Sequence, residues 1–445
     1  MPAAAHQRMA WLDALRAVAA LLVVYAHFTH YQLTEVRAAT SNWINSGVAG
    51  VMLFFLVSGY IIPASLERHG DLRRFWVSRL ARLYPLYLAV GVAVVIVLPV
   101  APYLVKHPVA GTVAHLTMLP QFTGYDLVTP VMWTLTFEMA FYLLVASLFV
   151  LRLHRASAPI AAAFGVAAVL TVPLTPRQLV TPLLPVAIAV VLIAGLAGLL
   201  SRRRAVAVAG AVTLIALVLT LMITNQHPSH AFDGLLIPAV MFTGTAIYRA
   251  EKGQIPKRHA AAAATVVGAA CLVNWFAELR SLNALTPQYM TRSVITLLII
   301  GGSFAIGFAC RHRRVPRSLA WIGLVSYSLY LIHVPVIDLT GQWFQDHIHG
   351  PAEILATAGF LAGLLGLSWL THRYIELPGQ RLAKRYHPAP PGGAVPAQRR
   401  PEVLAERDDG AGAPGGLRRP DHVMTGQAGG GVRTDQRRVS GGDGG

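Results

Sequence analysis

The chain has little charge, few cysteines and few acids. Only 13% of its 445 residues are charged, against 55% hydrophobic, which is too apolar for a soluble globular domain and fits a polytopic membrane protein. Two cysteines, Cys271 and Cys310, each lie in an apolar run, so neither a disulfide framework nor a zinc-ligand spacing exists. His, Asp and Glu do not cluster at metal-ligand spacing either, and no metal is expected. No G-x-x-x-x-G-K-[ST] or G-x-G-x-x-G element follows a strand, which excludes the common phosphate and dinucleotide loops. Acids number 20 against 37 Lys and Arg, giving a net charge of +17. Nucleic acid is nevertheless not the expected partner, because the basic residues punctuate apolar runs and form no continuous patch.

What the chain has is apolar segments. Twelve are read at about 11–30, 47–65, 83–101, 131–151, 157–173, 179–200, 205–223, 233–249, 259–276, 293–310, 319–338 and 354–373. The fold class expected is therefore all-α, a polytopic membrane helix bundle with about 10–12 transmembrane helices. The first run is read as a retained span, not a signal peptide. Alternate connections are strongly unequal in charge. Those holding Arg68, Arg73, Arg74, Arg79 and Arg82, then Arg152 and Arg155, Arg202–Arg204, the Arg249–Arg258 group and the Arg311–Arg317 group carry 18 basic residues. The others carry five: Arg37, Lys106, Arg177, Arg280 and Arg292. By the positive-inside rule the first set is cytoplasmic, which puts a multi-pass protein in the cell membrane with both termini inside. The connection from Pro102 to Pro130, with His107, His115 and Asp126, is expected to fold over an outer opening. Residues 1–380 form the expected membrane domain. Residues 381–445 turn Gly-, Pro- and Arg-rich, with no aromatic after 386, and read as a disordered cytoplasmic tail.

Ionisable residues inside spans are costly and usually have a task. Arg16 and His27 sit eleven residues apart in the first span, so His27 lies ~16 Å farther out at the helical rise. Arg keeps its charge, whereas His titrates near neutrality and can act as a base. The opposite run of the fourth span puts Trp133 near its outer end and Glu138 more than a turn deeper. The eleventh span carries Ser326, Tyr330 and His333 at i, i+4, i+7, on one polar face. His27, Glu138 and His333 can therefore share one layer. Arg79 and Arg82, at i, i+3, and Arg16 would gather at the inner face, where guanidiniums suit a phosphate-bearing ligand. Glu376 lies on the same side, close to Arg373. The plainer readings are that Arg79 and Arg82 only set topology, that Trp133 is an interfacial belt residue, and that His333 is a bonded interior residue.

These residues fall in blocks that resemble the membrane-bound acyltransferase-3 family. The blocks are Leu12-Asp13-Ala14-Leu15-Arg16-Ala17 with His27, Phe54-Phe55-Leu56-Val57-Ser58-Gly59-Tyr60, Arg79-Leu80-Ala81-Arg82-Leu83-Tyr84-Pro85, Trp133-Thr134-Leu135-Thr136-Phe137-Glu138, Ser326 through His333, and Ile375-Glu376-Leu377-Pro378. They appear in family order across about residues 10–380. The resemblance implies transfer of an acyl group, commonly acetyl, from cytosolic acyl-CoA as co-substrate to a hydroxyl on a glycan, lipid or natural product. It puts the family's Arg-x10-His element on Arg16 and His27 and its Arg-x-x-Arg element on Arg79 and Arg82. Ser65-Leu66-Glu67-Arg68-His69-Gly70 with Arg73-Arg74-Phe75-Trp76 is similar to the actinobacterial macrolide O-acyltransferase branch. The roles expected are His27, Glu138 and His333 in catalysis, Arg16, Arg79 and Arg82 on acyl-CoA, and Trp133, Ser326 and Tyr330 in positioning. The competing class is a proton-coupled secondary transporter, which buried His, Glu and Arg would also suit. Against it, the halves show no repeat and no long central cytoplasmic loop.

Overall fold

A computed structural model describes residues 2–98, 106–174, 178–225, 233–348 and 350–386. Arg177 and residues 387–445 of the expected tail lie outside the described residues. In hydrocarbon every backbone N–H and C=O must be satisfied within the chain, and among the described residues the apolar runs meet this by folding only as helices. They are α1 (Pro2–Tyr31), α2 (Thr34–Thr40), α3 (Ser46–His69), α4 (Leu72–Val97), α5 (Pro108–Leu116), α6 (Trp133–Val150), α7 (Ser157–Thr171), α8 (Leu183–Leu199), α9 (Arg204–Thr224), α10 (Leu236–Glu251), α11 (Lys257–Ser281), α12 (Pro287–Ala309), α13 (Arg317–Leu324), α14 (Ser326–His347), α15 (Ala352–Thr371) and α16 (Leu377–Tyr386).

Eleven of the twelve apolar segments each correspond to one helix, and the segment at 319–338 falls across two, α13 and α14. Among the described residues eight helices are long and apolar enough to cross a membrane, and α13 with α14, bent by 69° at Val325, adds a ninth if the pair is counted as one broken span. The segments at 157–173, 179–200 and 233–249 differ from expectation. They fold as α7, α8 and α10, of 15, 17 and 16 residues, below the roughly 20 that a perpendicular span needs.

Local chemistry sets the ends that matter for the site. Asp71 accepts hydrogen bonds from the backbone N–H groups of Arg73 and Arg74, at 2.8 and 3.2 Å, and so starts α4 at Leu72, seven residues before Arg79. Gly70, at φ +64°, ends α3 in a left-handed turn that a side chain would strain. Between them, two residues reverse the chain and bring the end of α3 beside the start of α4.

Close helix crossings use small residues. A Cβ on Gly59 would lie 1.8 Å from the Met241 carbonyl oxygen, and one on Gly244 would lie 2.2 Å from that of Leu56. Backbone contact of this kind lets α3 and α10 cross without intervening side chains. The Thr245 hydroxyl adds a 2.8 Å hydrogen bond to the Gly59 carbonyl. Helix α6 is the most enclosed, with Phe137, Phe141 and Tyr142 fully buried.

The connection before α6 does not simply cover an opening. Met118, Leu119, Phe122 and Thr123 are fully buried, and Phe122 packs edge-on against Phe137. Asn225 donates to the Phe122 carbonyl at 2.6 Å. Irregular backbone at this depth is tolerated because protein surrounds it. Its last turn, Pro130–Met132, delivers Trp133 and Thr134 to the site.

Candidate active site

Three cavities follow one another through the helices that carry the sequence-predicted residues. The first, about 280 Å³, is lined by Ser65, Asp71, Arg74, Arg79, Arg82 and Gln380. Arg79 and Arg82 also line the second, a small cavity of about 70 Å³ that adds Arg16, Glu138, Ser326 and Tyr330. Tyr330 and Val51 line both this and the third, about 470 Å³, which contains His27 and Trp133. Shared walls therefore connect the arginine region to the histidine region.

In the arginine region, α1, α4 and α6 converge. Arg79 is buried, donates to the Ser65 hydroxyl at 2.6 Å, and lies over the rings of Phe75 and Tyr142 at 5.6 and 5.8 Å. Planar guanidinium on two ring faces fixes its direction. Arg16 pairs with Asp13 at 3.2 Å, one turn earlier. Arg82 has no carboxylate partner among the described residues. Glu138 accepts a hydrogen bond from Tyr142, one turn on along α6. The cavity thus gathers three guanidiniums and one carboxylate, a surplus of positive charge facing one small space.

In the histidine region, α1 meets α14. The His333 Nε2 atom lies 3.3 Å from His27 Nδ1, and the rings meet edge-on at 5.0 Å. His333 Nδ1 lies 2.6 Å from the Tyr330 carbonyl, and His27 Nδ1 lies 3.0 Å from the Val23 carbonyl. A carbonyl oxygen only accepts, so Nδ1 of each neutral ring carries the proton. His333 Nε2 is then an acceptor facing His27 Nδ1–H. His27 Nε2 keeps its lone pair, on a ring that lines the large cavity. His333 is fully buried behind it. Tyr330 donates to the Val131 carbonyl at 3.2 Å and accepts from Thr134 at 2.9 Å, which pins the wall between the cavities. Trp133 packs edge-on against Phe55 and Phe137.

Seven of the nine predicted site residues fall in two groups: Arg16, Arg79, Arg82, Glu138 and Ser326 in the small cavity, His27 and Trp133 in the large one. Tyr330 touches both, and His333 stands behind His27. Glu138 is not beside His27; its partner is Tyr142, because the i, i+4 spacing on α6 brings the phenol over the carboxylate. Glu376 does not pair with Arg373. It is buried, lies 3.1 Å from His372 across a π-helical turn, and accepts from Ser328. Ser65, Tyr142, Trp275, Glu278 and Arg292 were missed as lining or contact residues. Tyr142 was detectable from its i+4 spacing; the others depend on long-range packing. Among the described residues no three of His, Cys, Asp and Glu converge as metal ligands.

Residues 9–373 match the acyltransferase-3 family, described as an acyltransferase domain. The chain belongs to this family. It is similar to the acyltransferase MdmB of Streptomyces mycarofaciens, 35% identical over 176 residues, which are 35% of this chain and 45% of that protein. It is also similar to YrhL of Bacillus subtilis, provisionally named a peptidoglycan O-acetyltransferase, at 37% over 86 residues, 18% of this chain and 12% of YrhL. A provisionally named O-acetyltransferase of Staphylococcus aureus, SAS0844, is 28% identical over 155 residues, 30% of this chain and 24% of its own length. The chain therefore spans less than half the length of these curated relatives. No solved structure matches it significantly.

Proposed function

We propose that this acyltransferase moves an acyl group, acetyl in the simplest case, from acyl-CoA to a hydroxyl of a carbohydrate or a glycosylated natural product such as a macrolide. The observation that carries the reading is the His27–His333 pair beside a large cavity, joined through Tyr330 to a chamber of three arginines. The first cavity, with Arg74, Arg79 and Arg82, suits the phosphates of the CoA head. The pantetheine arm then passes Arg16, Glu138 and Ser326 and brings the thioester to Tyr330. In this reading the basic loops and both termini are cytoplasmic, and CoA enters from that side.

The acceptor occupies the third cavity. Its volume of about 470 Å³ is within the range for small-molecule sites. Trp133 and Trp275 offer flat apolar faces, and Asp233, Glu278, Arg37 and Arg292 offer polar contacts. Flat rings with polar groups suit a sugar-like ligand better than an acyl chain. His27 Nε2 takes the proton of the acceptor hydroxyl as its oxygen attacks the thioester carbonyl. The C–S bond then breaks with its electron pair on sulfur, and the imidazolium returns the proton to the CoA thiolate. While His27 is protonated, Nδ1–H is held by His333 Nε2 and the Val23 carbonyl.

The test is purified wild-type and His27→Ala protein in nanodiscs, given labelled acetyl-CoA with macrolide and oligosaccharide acceptors. Labelled ester from wild type alone supports the reading. Uptake driven by a proton gradient, without ester and without CoA binding, would replace it with a transporter.

A further inference from the structure

A fourth hollow lies apart from the three that form the candidate active site and shares no lining residue with them. It occupies about 650 Å³ between the α6–α7 and α8–α9 connections. Arg152, Arg155, Arg202 and Arg204 line it, over an apolar floor that includes Phe149 and Leu199. Arg204 is spent on structure: its Nη1 donates to the Val150 carbonyl at 2.5 Å and caps the end of α6. Beyond the topology role of their loops, no contact within the described residues accounts for the other three. Among the described residues, Arg152, Arg155 and Arg202 have neither a carboxylate partner nor a side-chain hydrogen bond. Arg152 also stands at φ +61°, a left-handed position after a helix where glycine is the unstrained choice.

From this geometry we propose that the hollow binds the phosphate headgroup of an anionic phospholipid. Three exposed guanidiniums without a carboxylate partner line one open hollow, and an anion seated there would balance their charge. The apolar surroundings favour a lipid over a soluble phosphate. Leu153, between Arg152 and Arg155, is 53% exposed, and Val190 and Ile193 on α8 are 61% and 67% exposed, so acyl chains have apolar surface to lie on below the headgroup. Basic pockets between membrane helices bind anionic headgroups by this combination. The bound lipid would tie the α6–α7 and α8–α9 connections together. The inference does not depend on the transfer chemistry.

The test compares full-length wild type with Arg152→Gln/Arg155→Gln/Arg202→Gln and with a control of equal charge loss, Arg203→Gln/Arg258→Gln/Arg313→Gln, whose exposed residues lie outside the hollow. Retention of phosphatidylglycerol and phosphatidylcholine is read by native mass spectrometry, and thermal unfolding is followed with each lipid. Wild type and the control should retain phosphatidylglycerol over phosphatidylcholine and unfold at higher temperature with it. The hollow variant should lose both effects, with phosphatidylglycerol occupancy down about tenfold or more, while its unfolding in phosphatidylcholine stays like wild type. Equal retention by all three proteins, equal loss in the control, or no preference between the lipids overturns the proposal. Displacement of phosphatidylglycerol by inorganic phosphate or by acetyl-CoA also overturns it, and makes the hollow a general phosphate or donor site. A hollow variant that fails to fold is replaced by the single Arg155→Gln and Arg202→Gln variants, each of which should lose part of the same selectivity.

Discussion

The two cavities that meet at Tyr330 are built on different electrostatic plans: the small one has a surplus of guanidiniums, whereas the large one is lined by Arg37 and Arg292 together with Asp233 and Glu278. The small one holds Arg16, Arg79, Arg82 and Glu138 in about 70 Å³; the large one presents His27, backed by the buried His333, to about 470 Å³. A chamber of fixed charge is suited to hold a polyanion, and Arg cannot lose that charge in a protein. A base must be neutral before it acts, and the histidine pair has a self-consistent neutral arrangement. On the proposed reading, binding charge and removing a proton fall in separate rooms, with a tyrosine wall held by Thr134 and Val131 between them. If the division is real, substitutions should affect the two functions separately.

The largest effect is expected at His27. Replacing it with alanine removes the His27 Nε2 lone pair from the wall of the large cavity, and transfer should fall by about 10²–10⁴-fold. Acyl-CoA binding, measured on the same nanodisc samples, should change little. A His27→Ala protein with near-normal turnover would break the comparison at its centre.

Next come the arginines. Arg82→Ala removes a guanidinium that lines both the first and second cavities, and the KM for acyl-CoA should rise by about 10–100-fold, as expected for a lost charged hydrogen bond. Arg79→Ala should add a loss of stability, because Arg79 also holds Ser65 and stacks on Phe75 and Tyr142. Steady-state kinetics with donor and acceptor varied separately checks both. A change confined to the acceptor KM would put the arginines in the wrong room.

His333 should matter less, because it acts through His27. His333→Leu removes the acceptor at 3.3 Å from His27 Nδ1, and kcat should fall about tenfold with the donor KM unchanged. His333→Gln keeps an acceptor oxygen and should recover part of the rate. Loss of donor binding in either variant would mean that His333 shapes the bundle and has no part in proton transfer.

Much of this arrangement was legible in the sequence, and the physics says which part. Apolar runs must become helices in hydrocarbon, so all twelve appeared, and the i, i+4, i+7 face of Ser326, Tyr330 and His333 followed from helical geometry. Charge at depth marked Arg16, His27 and Glu138 as costly and worth keeping. Length was less legible: α7, α8 and α10 are apolar enough to look like spans yet stop early, at connections that tertiary contacts hold. Pairing across the bundle was not legible. His27 and His333 are 306 positions apart, and depth alone gave Glu138 an equal claim to His27. Only the packing of α1 against α14, and of Tyr142 over Glu138, decides between them. The burial of Met118 and Phe122 was hidden for a similar reason, since a connection that mixes polar residues with short apolar stretches does not say which of them fold inward.

The smallest effect lies in that connection, and it separates the stability of the large cavity's wall from its chemistry. His115, on α5, is buried with its Nδ1 atom 2.9 Å from the Tyr87 hydroxyl. Burial pushes its imidazole down from 6.5 to about 4, while a weaker contact with the Asp126 carbonyl opposes the shift. Between these values the unfolded chain binds a proton that the folded chain does not, so stability increases with pH across the window. The contribution is complete above about pH 6.5 and is lost as pH falls towards 4, by up to about 3 kcal/mol. Other groups titrate in the same range, so the useful measurement is the difference between wild type and His115→Gln, followed by thermal unfolding at several pH values from 6.5 to 4. Wild type should lose more stability than the variant over this interval, while their rates at pH 7 stay close, because His115 lines neither cavity. Parallel unfolding curves would mean that the imidazole takes up its proton without opening the connection, and would remove the connection from any account of how Trp133 is held.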